Sequence, residues 1–220
     1  MKPVGIPFLL AVAFLGLWAQ APQDGAAKAK GKGDATAAKG KGKADAKTAA
    51  PPAPPAVPQV LRLLRPSTYL VTGHGANSVF RVTPQGVLIV DTKSPGPGDY
   101  ERLIELVRGI TPQPVKFVLN TSTKPESSGN NARFQALGAE IVTGERIVKL
   151  DAVEARSLRI GEGIVVYFPS DNVICMGDLY NSANPAALDA LLKLDWTLAV
   201  PASGEPVYRA AIEAKRKNLP

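Results

Sequence analysis

Apolar and β-branched runs alternate with amphipathic runs from Tyr69 to the end of the chain. The runs that are wholly apolar or that alternate with period two predict strands at 69–71, 77–83, 87–91, 115–119, 140–143, 155–160, 164–168, 173–176 and 197–200. The runs with an apolar face at helical spacing predict helices from the Asp99 cap to Gly109 and at 131–137, 185–193 and 206–217. Two strand-helix units in succession indicate an α/β domain in which helices cover a sheet.

The first 58 residues have a different composition. Residues 1–21 combine Lys2, an apolar run and the ending Ala19-Gln20-Ala21, which is the layout of a cleavable signal peptide. The alternative is an uncleaved membrane anchor, but the run is shorter than the roughly 20 residues of a bilayer span. Residues 22–58 are rich in Lys, Ala and Gly and then in Pro, which predicts a disordered linker. We therefore expect a periplasmic or secreted protein with one folded domain at 59–220.

The net charge of +7 belongs mostly to the linker. Residues 22–56 hold seven Lys and three Asp, Lys2 adds one positive charge, and residues 57–220 keep only +2. The folded part is therefore not predicted to bind nucleic acid specifically, and the linker has no aromatic residue that could stack on bases. We expect the linker either to solubilise the protein or to attach it to an anionic envelope polymer or membrane surface.

Several stretches of the chain resemble the metallo-β-lactamase superfamily. They are GANSVFRVTPQGVLIVDT at 75–92, NTSTKPESSGNN at 120–131, VVYFPSDNVICMGDLY at 165–180 and AVPASGEP at 199–206. The resemblance covers about residues 69–207 and implies a shortened αβ/βα sandwich with metal-binding loops at one edge of two sheets. The order of strands and helices predicted from the pattern fits that fold independently.

Most metal ligands of that superfamily are absent at the matching positions. Its H-x-H-x-D-H signature, whose imidazoles and carboxylate bind zinc, aligns with Ser122, Lys124, Glu126 and Ser127. Asp178 matches a bridging carboxylate and is retained, Ser203 stands at a histidine position, and the turn at 159–162 lacks a further histidine. Serine is a weak ligand and an ammonium repels a cation, so we expect no zinc and no other cofactor.

Two more residues are assigned supporting roles. The resemblance implies that Asp91 orients the metal loop, and Asn120 belongs to the intact scaffold before that loop, so both are expected to support the site. His74, the only histidine, lies in a glycine-flanked loop outside the superfamily's ligand positions and is expected at the surface or in a hydrogen bond. Unpaired carboxylates in a cleft are costly. We therefore predict that the Lys124 ammonium occupies roughly the former metal position and pairs with Asp178, Glu126 or Asp91.

These substitutions predict a catalytically inactive protein, a pseudoenzyme, that serves as a binding or scaffold domain for a small anionic or hydroxyl-bearing ligand. The predicted pocket is ringed by Ser122, Lys124, Ser127 and Ser203. The first alternative is a residual metallohydrolase acting on an ester, lactam or thioester, with a metal held by Asp178, Glu126 and His74. The second alternative is a metal-free serine hydrolase that uses Lys124 as its base. The oligomeric state stays open.

Overall fold

Two six-stranded sheets form the framework of the protein in the computed structural model, which describes residues 58–220. The first sheet contains, in spatial order, β1 (Val60–Arg65), β2 (Thr68–Thr72), β3 (Ser78–Thr83), β4 (Gly86–Val90), β5 (Val115–Leu119) and β6 (Glu140–Val142). The second contains, in spatial order, β7 (Arg146–Leu150), β8 (Val153–Ile160), β9 (Gly163–Phe168), β10 (Val173–Gly177), β11 (Leu198–Pro201) and β12 (Val207–Tyr208). The predicted signal peptide, and the linker up to residue 57, lie outside the described residues.

Both sheets begin as antiparallel meanders and then change direction. Strands β1 to β4 pair antiparallel, whereas β5 runs parallel to β4 and β6 runs parallel to β5. In the second sheet, β7 to β10 pair antiparallel, β11 is parallel to β10, and β12 returns antiparallel to β11. The parallel strands need crossover connections, and helices supply the long ones.

Helices cover the outer faces of the two sheets. They are α1 (Asp99–Arg108), α2 (Pro125–Ser128), α3 (Asn131–Ala136), α4 (Pro185–Leu192) and α5 (Arg209–Lys217). The first sheet packs on α1 and α3 through residues such as Leu103 and Phe134, and the second sheet packs on α4 and α5 through residues such as Leu188 and Ile212. The predicted αβ/βα sandwich is thereby confirmed. Within residues 58–220 no helix is long and apolar enough to cross a membrane.

The core between the sheets joins apolar side chains from their facing surfaces. Leu88 and Val90 of β4 and Val166 and Phe168 of β9 belong to this cluster, and all four are buried. Burial of one large apolar side chain contributes about 1.5–3 kcal/mol. The near-continuous apolar runs of these strands, which the sequence predicted as buried strands, are therefore explained by burial on both faces.

Three strands and one helix escaped prediction, namely β1, β7, β12 and α2. Strand β1 leaves Leu63 65% exposed, and β7 leaves Ile147 56% exposed, because both strands lie at sheet edges. Edge strands do not show a clean apolar alternation. The expected helix at 206–217 begins only at Arg209, after β12. Asp99 was wrongly predicted as a helix cap, since Gly98 is the N-cap and Asp99 is the first helical residue.

Candidate functional site

The carboxyl ends of β4, β5 and β10 meet at one edge of the sandwich. Strands β4 and β5 are parallel neighbours, so the loops that follow them leave from the same edge, as in other open α/β sheets. Gly177 ends β10 with φ 53°, and a Cβ atom there would lie 2.7 Å from the Cβ of Thr121. Only glycine permits this approach. The position of Asp178 is therefore fixed against the loop that follows β5.

Asp91 is buried and holds the loop after β5 in place through hydrogen bonds. Its Oδ1 accepts a hydrogen bond from the Thr121 backbone N–H at 2.8 Å, and its Oδ2 accepts one from the Thr121 hydroxyl at 2.6 Å. Burial raises the pKa of Asp91 to about 7, and the bonds from Thr121 oppose that rise. Asp91 has φ 59°, a strained conformation for a residue with a side chain. These contacts suit a carboxylate that orients the loop.

A second layer of hydrogen bonds holds the segment 120–131 around the backbone of Ser127. The Ser127 carbonyl accepts the Thr92 N–H at 2.6 Å and the Asn120 side-chain amide at 2.9 Å. Asn130 donates to the Thr92 carbonyl at 2.7 Å, and Asn131 donates to the Asn120 side-chain oxygen at 2.7 Å. Asn120 therefore supports the loop as a donor and an acceptor. These hydrogen bonds connect the segment 120–131 to the loop that follows β4.

Lys93 is a fully buried lysine that sequence reasoning missed. Its Nζ donates to the carbonyls of Val71 at 2.7 Å and Ala76 at 2.8 Å, which lie at the two ends of the β2–β3 connection. Burial lowers the pKa of Lys93 to about 7, and the negative charges of Asp91 and Asp99 oppose that shift. The Ala76 N–H in turn donates to the Glu126 carbonyl at 2.9 Å. Lys93 thus ties the β2–β3 connection to the segment 120–131.

Lys124 and Asp178 form an ion pair at the surface of this assembly. Lys124 Nζ lies 2.7 Å from Asp178 Oδ2, which is one of the pairings predicted from the sequence. The hydrogen bond with Asp178 raises the pKa of Lys124, so its ammonium stays protonated at neutral pH. The two side chains are 65% and 50% exposed, so water screens the attraction. The pair neutralises Asp178 without burying either charge.

A cleft of about 860 Å³ opens beside this ion pair. One wall carries Ser122, Lys124 and Asp178, and the β8–β9 hairpin supplies Arg159 and Glu162. Its apolar surface comes from Val142, Ile164, Met176, Leu179 and Ala187. The volume is within the usual range of small-molecule sites, about 300–1,000 Å³. The cleft is thus large enough for a small ligand.

Two solved structures are similar to the chain over most of its length. A metallo-β-lactamase from Pontibacter korlensis superposes with a TM-score of 0.65 at 15% identity, covering 73% of this chain and 100% of that one. The metallo-β-lactamase FIM-1 from Pseudomonas aeruginosa, in its mono-zinc form, gives a TM-score of 0.61 at 15% identity, covering 74% and 96%. This chain has the metallo-β-lactamase fold. No protein-family model and no curated protein sequence matches it.

The residues at the edge of this metallo-β-lactamase fold do not suit a zinc ion. Among residues 58–220, no three His, Cys, Asp or Glu side chains lie close enough together to hold a metal. The ammonium of Lys124 already lies within hydrogen-bonding distance of Asp178, and it would repel a divalent cation there. His74 does not join Asp178 and Glu126, because its Nδ1 lies 2.7 Å from Asp99 Oδ1. The ligand set of the metallohydrolase alternative is therefore not assembled in this part of the chain.

The predicted site residues take three different positions. Ser122, Lys124 and Asp178 line the cleft. Ser127 is buried behind it, Glu126 points its backbone carbonyl at Ala76, and Ser203 is exposed outside the cleft lining. The predicted pocket rim is thus wrong for Ser127 and Ser203. Both errors arise because matching a linear motif gives the chain position of a residue and not the direction of its side chain.

Ser122 and Lys124 are not arranged as the nucleophile and base of the serine-lysine alternative. The Ser122 hydroxyl accepts a hydrogen bond from the backbone N–H of Lys124 at 3.3 Å, whereas the Lys124 Nζ is directed to Asp178. A lysine that serves as a general base needs a lowered pKa and contact with the nucleophile. Lys124 has a raised pKa, and its amine is committed to a carboxylate. This arrangement does not activate Ser122.

Sequence reasoning missed the hairpin residues of the cleft as well as Lys93. In the sequence, Arg159 and Glu162 are notable only as part of a turn that lacks a histidine. Alternation along β8 gives the sheet face of a residue, but the direction of the hairpin tip depends on the twist of the second sheet. No local sequence signal identified these two residues as part of the cleft.

Proposed function

We propose that this chain is an exported, catalytically inactive protein of the metallo-β-lactamase fold that uses the edge cleft to bind a small polar ligand. The observation that carries the proposal is the ion pair between Lys124 and Asp178. Hydrolysis in a metal site needs a Lewis acid that lowers the pKa of bound water to about 7. An ammonium at this position neutralises the carboxylate but cannot coordinate a water oxygen. The cleft therefore keeps a binding surface and lacks the group that activates water.

The remaining groups of the cleft do not replace the metal as a catalyst. Lys124 is held protonated by its hydrogen bond to Asp178, so it is a poor general base at neutral pH. A small ligand with anionic or hydroxyl groups can bind to the exposed N–H groups of Lys124. We infer binding without turnover.

Zinc stoichiometry tests this proposal most directly. The full mature chain is dialysed against zinc, then against buffer, and its metal content is measured. We expect less than about 0.1 zinc per chain, together with no hydrolysis of ester, lactam or thioester probes. One zinc per chain with zinc-dependent turnover would instead support the residual metallohydrolase.

A gain-of-binding variant provides the matched control. Ser122→His with Lys124→His places two imidazoles beside Asp178 and removes the ammonium, which gives three ligands of the types that bind zinc. We expect this double variant to retain about one zinc per chain under the same dialysis. If it stays free of metal, the assignment of Ser122, Lys124 and Asp178 to the metal position is contradicted.

Attachment to the cell envelope is the second part of the proposal. The sequence of residues 1–58 supports it, through the signal-like segment and the seven lysines of the linker. We expect the chain to sediment with vesicles that contain anionic lipid or with anionic envelope polymer, and to be released as salt rises. Deletion of residues 22–56 should abolish this retention. Retention that persists after the deletion would contradict a role for the linker.

A further inference from the structure

The β8–β9 hairpin contributes two charged residues to the cleft lining that have no ion-pair partner among residues 58–220. Arg159 donates only its backbone N–H within the described residues, to Glu145 Oε1 at 3.3 Å. Among residues 58–220, neither the Arg159 guanidinium nor the Glu162 carboxylate lies within 4.0 Å of an opposite charge. Both line the cleft, Arg159 from the end of β8 and Glu162 from the β8–β9 turn. Within residues 58–220, an arginine and a glutamate that are three positions apart thus line the same cleft without an ion-pair partner.

The charges that line the cleft are balanced. Lys124 and Arg159 are positive, and Asp178 and Glu162 are negative, so these four residues sum to zero. A ligand that is only an anion would gain from Arg159 but would face the Glu162 carboxylate beside it. A ligand that is only a cation would meet the reverse problem. The charge pattern is complementary to a ligand that carries both signs.

The other groups of the cleft favour a peptide-like ligand. Its hydroxyl groups come from Ser122, Thr123, Thr143 and Ser182, and an amide comes from Asn184. Such groups donate to and accept from amide bonds. No aromatic side chain of residues 58–220 is part of the cleft lining, so the cleft offers no stacking surface for a base or a sugar ring. Ile164 and Leu179 provide apolar contact for a short aliphatic side chain.

We propose that the cleft binds a small zwitterion of the amino-acid or dipeptide class, with its carboxylate on Arg159 and its ammonium on Glu162. A guanidinium binds a carboxylate through two parallel N–H···O hydrogen bonds, and Arg159 has these donors free. The Lys124–Asp178 pair is already neutralised and contacts the uncharged part of the ligand. The inference rests on the proposed function, since the ligand is bound here and not hydrolysed. It restricts the ligand class from anions in general to anions that also carry an ammonium group.

Calorimetric titration of the full chain with alanyl-leucine and two blocked forms tests the proposal. N-acetyl-alanyl-leucine lacks the ammonium, and alanyl-leucine amide lacks the carboxylate. We expect the free dipeptide to bind about tenfold or more tightly than either blocked form, because each block removes a charge-assisted hydrogen bond. Equal binding of the free and N-acetylated dipeptides would overturn the zwitterion.

Two single variants assign each end of the ligand. Arg159→Gln should abolish the preference for the free carboxylate over the amide and keep the preference for the free amine. Glu162→Gln should do the opposite. Arg102→Gln, an exposed arginine on α1 outside the cleft, should leave all three affinities unchanged. If Arg102→Gln and Arg159→Gln weaken binding equally, a general charge effect replaces the proposed site.

Failure of this inference is distinguishable from failure of the proposed function. Inorganic phosphate that binds while alanyl-leucine does not would overturn the zwitterion and leave a non-catalytic anion site. Binding of none of the probes would also overturn it, whereas the zinc measurement stands independently. Zinc-dependent cleavage of the dipeptide would overturn the proposed function itself, because a cleft that lacks metal cannot perform it.

Discussion

The region behind the cleft and the surface of the cleft are formed by the same loops but are stabilised by different interactions. Behind the cleft, Asp91, Thr92, Lys93 and Asn130 are buried, and each is hydrogen-bonded to backbone atoms of a neighbouring loop. We call these four residues the buried frame. At the surface, Lys124 and Asp178 form one exposed ion pair. Removing a buried partner leaves polar groups without water, whereas exposed partners are solvated at once.

This difference explains how a metallo-β-lactamase fold can lack a fitting zinc site and still hold its loops in place. In the buried frame, the side chains of Asp91, Lys93 and Asn130 hold neighbouring loops together by hydrogen bonds. The cleft surface is then free to carry residues of any charge. We therefore expect stability to depend on the frame and the proposed ligand binding to depend on the surface.

Loss of the Asp91 carboxylate should have the largest effect. Asp91→Ala leaves the N–H and hydroxyl of Thr121 without their acceptor in a buried position. We expect the free energy of unfolding to fall by about 2–4 kcal/mol in denaturant titration. Asp178→Ala, which removes an exposed carboxylate, should change it little. Equal losses in the two variants would remove the distinction between frame and surface.

A methyl group at Gly177 should separate the β10 end from the loop after β5. Gly177→Ala places a Cβ atom about 2.7 Å from the Thr121 side chain and strains a residue with φ 53°. We expect a loss of about 1–3 kcal/mol in the free energy of unfolding. Gly163→Ala is the matched control, since the nearest atom to its Cβ would be the Ile160 carbonyl oxygen at 3.7 Å. A control that loses as much stability would contradict the role of the close approach.

Lys93 should make stability depend on pH in the alkaline range. Burial lowers its pKa from 10.5 to about 7, so the unfolded chain binds more protons than the folded chain between these values. The cost of burying the charged Lys93 ammonium is absent above pH 10.5. This cost grows, and stability falls, as the pH decreases toward 7. We expect the free energy of unfolding to rise by about 2–3 kcal/mol between about pH 7.5 and about pH 9.5. Chemical denaturation at several pH values measures it.

Lys93→Met should abolish this rise, whereas Lys217→Met, at an exposed position on α5, should keep it. Asp91 does not interfere in this window. The pKa of Asp91 is raised from 3.8 to about 7, so its ionisation lowers the free energy of unfolding between pH 3.8 and about pH 7. A slope that survives in Lys93→Met would show that another group titrates.

Removal of the Lys124 ammonium should have the smallest effect on stability. Lys124→Met breaks an ion pair that water screens, so the midpoint of thermal unfolding should hardly change. Its effect should appear instead in ligand affinity and in the salt dependence of binding. A large loss of stability would mean that the cleft surface, and not only the buried frame, organises the loops.

The sequence by itself determined the layered fold and the chemistry that is missing from the site. Strands such as β4 and β5 are short apolar runs between turn residues, and α1 has an apolar face at helical spacing. The spacing of apolar residues in the sequence therefore predicts which elements form and which faces are buried. The serines and the lysine that the resemblance assigns to metal-ligand positions are equally visible in the sequence, because a ligand's chemical type is a property of one residue. The resemblance and the charges together predicted that Lys124 pairs with Asp178, Glu126 or Asp91, and the structure shows the pair with Asp178.

Only the tertiary structure decided which side chains face the cleft and which lie behind it. Lys93 follows a strand end and would ordinarily be solvated, but the β2–β3 connection closes over it and supplies two carbonyl acceptors. Ser127 was expected at the pocket rim and lies buried behind it, while Arg159 and Glu162 reach the cleft from the other sheet. These positions depend on contacts between segments that are distant in the chain. The local spacing of apolar and polar residues does not predict such contacts.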